Sequence, residues 1–189
     1  SEELGRRLAI NPEQIRKDLA FFGQFGKKGV GYYVTELKES IGSILGLDQH
    51  WNVAIIGMGH LGAALANYQG IARLGFRLAA IFDANPVVIG TRVGERRVED
   101  ITYLAEIIAE RDIRIGVIAV PAAAAQGVAD KLVAAGIRGI WNFAPVSLQV
   151  PPHIPFVSED LSVGLSSLSY YLSHVSTDPN ELSDKNSLN

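Results

Sequence analysis

The sequence predicts an α/β protein: an N-terminal winged helix-turn-helix, truncated at its start, then a doubly wound parallel sheet of Rossmann type and a C-terminal helix. Three observations predict it. From Trp51 onward apolar β-type runs alternate with helical stretches, the glycine pattern "GMGHLG" follows the first run, and a basic segment punctuated by Asn-Pro and glycines precedes them all.

A chain of 189 residues, 48% hydrophobic and 20% charged, can build one sizeable core plus a small second domain. It has no cysteine, which excludes disulfides and thiolate metal sites and permits a reducing compartment. No apolar run approaches the roughly 20 residues of a membrane helix, and the N-terminus lacks the apolar core of a signal peptide. A cytoplasmic location and no membrane partner are therefore expected. The net charge of −3 conceals an asymmetry, because between Arg6 and Lys28 the six basic residues Arg6, Arg7, Arg16, Lys17, Lys27 and Lys28 face two acids, Glu13 and Asp18. Glu159, Asp160, Asp178, Glu181 and Asp184 face Lys185 alone in the tail. A basic head on an acidic body points to an anionic partner for the head.

The first element is a short helix, with Ser1 as its N-cap and Glu2 and Glu3 in the first turn, where the helix dipole favours acids. A second helix starts abruptly at "NPEQ": Asn11 caps it, Pro12 fits its first position, and Gln14 completes a capping-box variant. Ile15, Leu19 and Phe22 recur at i, i+4 and i+7, one apolar stripe that turns Glu13, Arg16, Lys17 and Ala20 outward with Gln14 on its flank. The glycine-rich stretch "GKKGVGYYV" at 26–34 follows, so the order is helix, turn, basic helix and hairpin, that of a winged helix-turn-helix. Two amphipathic helices that merely pack together would leave the same pattern. A winged domain normally also has a helix ahead of Ser1, so the chain is expected to begin inside that domain.

Next come the apolar strands, "VAIIG" at 53, "RLAAIFD" at 77, "RIGVIAVP" at 114, "IRGIWNF" at 137 and "IPFV" at 154. Continuous apolar strands alternating with helices imply a parallel sheet covered on both faces. Gly57, Gly59 and Gly62 form a G-x-G-x-x-G between the first strand and an Ala-rich helix, and the next strand ends in Asp83, 21 residues beyond Gly62. Gly57 permits the tight turn, Gly59 lets backbone approach a pyrophosphate, Gly62 allows close helix packing, and Asp83 accepts hydrogen bonds from a ribose. An acid there repels a 2′-phosphate and "DANP" supplies no arginine, so NAD(H) is favoured over NADP(H). Another nucleotide or coenzyme A is the competing ligand.

A dehydrogenase needs a proton donor or acceptor held beside the nicotinamide. None of His50, His60, His153 or His174 has a paired partner in the sequence, and little chain follows the sheet for a substrate domain. The chain is therefore not expected to be an enzyme. Leu161, Leu165, Leu168, Leu172 and Val175 fall at helical spacing near the end, a stripe that could cap the sheet or reach into a partner subunit.

These segments together resemble the Rex family of redox-sensing transcriptional repressors. "IRKDLAFFGQFGKKGVGYYV" is similar to the family's recognition helix and wing, and "GMGHLG" to its NAD-binding loop. "VPAAAAQ" and "GIWNFAPV" are similar to its later sheet-end loops, and "EDLSVGLSSLSYYL" to its C-terminal helix. The resemblance implies a homodimer on a palindromic DNA operator that leaves it when NADH binds, with the C-terminal helix exchanged between subunits. It implies a partial DNA-binding domain over 1–46, an NAD(H)-binding domain over 47–158, a dimerisation helix over 159–176 and a tail over 177–189. Gln14, Arg16 and Lys17 would meet DNA from the helix, and Lys27, Lys28 and Gly29 from the wing. Gly57, Met58, Gly59, His60, Leu61 and Gly62 would hold the pyrophosphate, Asp83 the ribose, and Val120, Pro121 and Asn142 would bound the cofactor. Tyr68 would lie near the nicotinamide, opposite Asp160 from the partner's helix; Leu161 stands where some relatives carry an aromatic residue. An NAD-dependent dehydrogenase and a coenzyme A-binding ligase-like subunit are the rival functions.

Overall fold

The computed structural model describes residues 1–23, 26, 31–47 and 49–174. They form two units: Ser1–Asn52 with Tyr68–Leu78, and Val53–Asn67 with the chain from Ala79 on.

In the first unit, α1 (Glu2–Leu8) ends where Ala9 takes a left-handed conformation, φ 54°, and α2 (Pro12–Phe22) begins three residues later. Asn11 caps α2 as expected, its Oδ1 accepting the Glu13 N–H at 2.8 Å. The reciprocal half of the capping box is absent: Gln14 donates forward to Asp18 at 2.7 Å. Ser1 occupies the N-cap of α1 without a side-chain bond to the helix, and its hydroxyl instead accepts from Arg16 at 3.0 Å. The two helices meet at Gly5, where an added Cβ would lie 2.6 Å from the Ile10 carbonyl and 2.9 Å from Pro12 Cγ. Of the apolar stripe, Ile15 is buried, Leu19 half-buried and Phe22 56% exposed, so burial fades along α2. A further helix, α3 (Val34–Ile44), passes into a turn at Gly46, whose carbonyl accepts the Trp51 indole N–H at 3.0 Å.

The strands β1 (Trp51–Ile56), β2 (Phe76–Asp83), β3 (Arg92–Val93), β4 (Arg96–Asp100), β5 (Ile113–Ile118), β6 (Gly139–Asn142) and β7 (Phe156–Ser158) form one sheet. Its order is β3-β4-β2-β1-β5-β6-β7. Without the short antiparallel β3, that is the doubly wound order 3-2-1-4-5-6 with its switch point between β1 and β5. The helices α4 (His60–Ala66), α5 (Gln69–Arg73), α6 (Leu104–Glu110) and α7 (Ala122–Ala134) connect the strands. Ile56, Ala80, Phe82 and Ile118 are fully buried, which is why these strands read as unbroken apolar runs. The expected strands are all present, and β3 and β4 are additional.

The last helix, α8 (Val163–His174), is exposed along its whole described length. Leu165, Leu168 and Leu172 are 58–84% exposed. Val175, the end of the predicted stripe, lies outside the described residues. Among the described residues, no helix is long and apolar enough to cross a membrane.

Candidate functional site

A cavity of about 350 Å³ opens at the C-terminal ends of β1, β2 and β5, beside the switch point where open α/β sheets bind ligands. The glycine loop forms one side. Gly57 sits at φ +100°, and a Cβ there would lie 2.6 Å from the Ala119 carbonyl, so both conformation and space require glycine. Gly62 packs in the first turn of α4 with its Cα against the Gly57 carbonyl. Gly59 is different, because its backbone is extended and nothing stands within 4 Å of where its Cβ would be. The missing side chain leaves open backbone on the cavity wall.

Asp83 closes the polar end. Its Oδ2 accepts the Met58 backbone N–H at 2.6 Å and its Oδ1 accepts the Asn85 N–H at 2.8 Å. Asn85 in turn accepts the Val87 N–H at 3.0 Å, so the "DANP" turn is built on side-chain acceptors. Each carboxylate oxygen has two acceptor sites, so one backbone bond apiece leaves capacity for a diol. The opposite wall is apolar, made by Val88, Ile101, Val120, Pro121 and Val128. A narrow cavity with a glycine cradle, a carboxylate and an apolar wall fits a dinucleotide.

The structure thus brings Gly57, Met58, Gly59, Asp83, Val120 and Pro121 around one cavity, with His60, Leu61 and Gly62 continuing the loop into α4. Asn85, Val88, Ile101 and Val128 also line the cavity and are not among the site residues the sequence singles out. Asn85 follows Asp83 closely enough to be suspected, whereas the other three carry no local motif.

Other candidates lie elsewhere. The side chain of Asn142 is completely buried and bonded to Ala144, Val146 and Ser158, and it is not part of the cavity lining. Tyr68, in the first unit, is 64% exposed at the N-cap of α5, its ring lying over Gly70. Asp160 precedes α8, where its Oδ1 accepts both the hydroxyl and the backbone N–H of Ser162, at 2.6 and 2.8 Å. The hydroxyl first, then the N–H, hold this carboxyl below its ordinary value, so it is charged at neutral pH. Leu161 is 67% exposed.

Gln14, Arg16 and Lys17 all stand on the exposed face of α2. Lys17 pairs with Glu13 at 3.1 Å, both side chains more than 60% exposed, and such a pair is weak enough to yield to a phosphate. Lys27, Lys28 and Gly29 lie outside the described residues. Gly26 and Gly31, at φ +87° and +99°, are brought together, the Gly31 carbonyl lying against Gly26. Among the described residues, no group of acids and histidines could hold a metal ion.

A family model described as a CoA binding domain matches residues 48–146. The redox-sensing transcriptional repressor Rex of Clostridium perfringens is 47% identical over 174 residues, 92% of this chain and 82% of that protein. Its counterparts from Chloroflexus aurantiacus and a Roseiflexus species are 47% and 48% identical, each over 91% of this chain and over 81% and 78% of theirs. Among solved structures, RSP in complex with β-NAD+ and operator DNA is similar with a TM-score of 0.87 and 41% identity, over 97% of this chain and 82% of that one. RSP in complex with β-NADH has a TM-score of 0.81 and 40% identity, over 97% of this chain and 84% of that one. RSP is itself a Rex-family repressor.

Proposed function

This chain belongs to the Rex family of redox-sensing transcriptional repressors, and from that premise we propose that it is a homodimeric, NADH-responsive repressor that leaves its operator when NADH binds. One observation carries the reading: a single chain joins a helix-turn-helix with a basic exposed helix to a glycine-cradled, Asp83-closed cavity. The first suits an anionic polymer and the second a dinucleotide.

In this reading Gly57, Met58 and Gly59, with His60, Leu61 and Gly62 behind them, take the pyrophosphate on bare backbone, and Asp83 takes the adenosine ribose. Val120 and Pro121 cover the cofactor, and the wall of Val88, Ile101 and Val128 suits the adenine face. Bound NAD(H) supplies a nicotinamide whose charge differs between its oxidised and reduced forms. Tyr68 and the charged Asp160 of the partner subunit read that difference, since a ligand shifts a two-state protein only through unequal affinity for its states. Gln14, Arg16 and Lys17 meet DNA from α2, and Lys27, Lys28 and Gly29 from the wing.

The chain acts by binding and not by turnover, in the cytoplasm where its DNA is. The exposed leucines of α8 are covered by the second subunit, with which the helix is exchanged. The family model for a CoA binding domain reflects the shared sheet, and Asp83 favours a free ribose diol over the 3′-phosphorylated ribose of coenzyme A.

Titration of the purified chain onto a palindromic duplex, with NADH or NAD+ added in turn, tests the reading. NADH should weaken DNA binding and NAD+ should not. Equal DNA affinity with and without saturating NADH would overturn it, and NADH oxidation with a small carbonyl compound would restore the dehydrogenase.

A further inference from the structure

Among the described residues, Asn142 is the only polar side chain in the buried core, and it is completely buried. An amide in that position is costly unless every group is satisfied. Here it is: Nδ2 donates to the Ala144 carbonyl at 2.9 Å, to Ser158 Oγ at 3.0 Å and more weakly to the Val146 carbonyl at 3.3 Å. Oδ1 accepts the Ala144 N–H at 3.0 Å. That last bond fixes the orientation of the amide, because only the oxygen can face an N–H.

The position of the residue gives those bonds a consequence. In the sheet Asn142 is paired with Ile118 of β5 on one side and Ser158 of β7 on the other. The Phe143 N–H donates to the Ile118 carbonyl at 2.9 Å, and the Glu159 N–H to the Asn142 carbonyl at 2.8 Å. Ile118 runs directly into Ala119, Val120 and Pro121 of the cavity wall, and Ala119 is itself tied to the end of β1 through the Ile56 carbonyl at 2.8 Å. On the far side, Ser158 lies two residues before Asp160 and five before α8. Asn142 therefore links the strand beside the cavity wall, through backbone pairing, to the point where the chain leaves the sheet for an uncovered apolar helix, through its side-chain bond to Ser158.

We propose that Asn142 is a positioning residue, which through Ser158 fixes the departure of the chain toward α8 and so transmits a change at residues 119–121 to that helix. The proposal deepens the NADH-response reading and rests on it. An apolar residue of similar size would fill the core without the risk of an unmade bond, but it would leave Ser158 and the 144–146 loop independent of each other. The amide makes them move as one body. Coupling carried this way follows contiguous hydrogen bonds and packed backbone, the physical form such coupling takes between sites.

The test uses Ser158, whose hydroxyl lies at the edge of the clamp and which is not part of the cavity lining. In the full chain, Ser158→Ala should leave operator affinity without NADH, and NADH affinity without DNA, within about three-fold of wild type. The factor by which NADH weakens operator binding should fall about five-fold, a change in coupling of ordinary size. Ser158→Thr, which keeps the hydroxyl, should restore it. An unchanged factor in Ser158→Ala overturns the proposal, as does a parallel loss of NADH and DNA binding, which would mark a purely structural clamp. A wild-type chain that ignores NADH on DNA would instead overturn the functional reading, taking the proposal with it.

Discussion

The Met58 backbone N–H donates to Asp83 Oδ2 at 2.6 Å, so the acid at the end of β2 holds the glycine loop at the end of β1 before any ligand arrives. One residue thus has two tasks, bracing the cradle and offering its remaining lone pairs to a ribose. Asp83→Ala should weaken NADH binding about 10- to 100-fold, the range expected for losing hydrogen bonds to a charged acceptor. Operator affinity in the absence of NADH should be unchanged. Calorimetric titration of NADH and a DNA-binding assay on the same preparation check both parts; equal losses in each would show general unfolding instead.

The three loop glycines should separate by experiment. Gly57→Ala meets both a left-handed backbone and the Ala119 carbonyl, so it should lower the melting temperature, the backbone term alone costing on the order of 1–3 kcal/mol. Gly59→Ala meets neither and should melt like wild type, while its methyl group intrudes on the cavity and reduces NADH affinity several-fold. Thermal melts with and without NADH distinguish them. Normal NADH binding by Gly59→Ala would remove this loop from the pyrophosphate site.

How much of this was legible in the sequence depended on whether a feature is local. The glycine turn and Asp83 were legible because a helix and a strand occupy a nearly fixed length of chain between them. The buried strands were legible because both their faces are covered. β4 was not: in "RRVED" only Val98 is buried, and the two arginines before it and the two acids after it mask the strand. α3 was not expected from the sequence, although Leu37, Ile41 and Ile44 carry helical spacing. Ile101 and Val128 join the cavity from distant positions in the chain, which no spacing encodes. Asn142 illustrates the reverse limit: it stands in the segment "GIWNFAPV" that carries the resemblance, and only the fold reveals that its amide is bonded inward to Ala144 and Ser158.

Lys17 on α2 has a different signature. Its pair with Glu13 is exposed, so Lys17→Ala should leave the melting temperature within error of wild type. Operator binding should weaken several-fold, with the slope of log affinity against log salt smaller by about one, the mark of one lost phosphate contact. NADH affinity should not change. An unaltered salt slope would place Lys17 off the DNA.

Gly70 controls Tyr68. The tyrosine ring lies over it, and a Cβ on Gly70 would come within 2.6 Å of the hydroxyl oxygen, so Gly70→Ala must push the exposed ring aside. In stability terms the substitution should be neutral or favourable, because alanine in a helix exceeds glycine by about 1 kcal/mol. Any loss of function is therefore separable from damage to the fold. If Tyr68 senses the nicotinamide, Gly70→Ala should keep operator affinity yet reduce NADH-driven release about five-fold, in the range of ordinary allosteric coupling. Tyr68→Phe, which keeps the ring and removes the hydroxyl, should do the same if the hydroxyl carries the signal. Release at wild-type NADH concentrations in both variants would assign Tyr68 to packing at its own helix terminus.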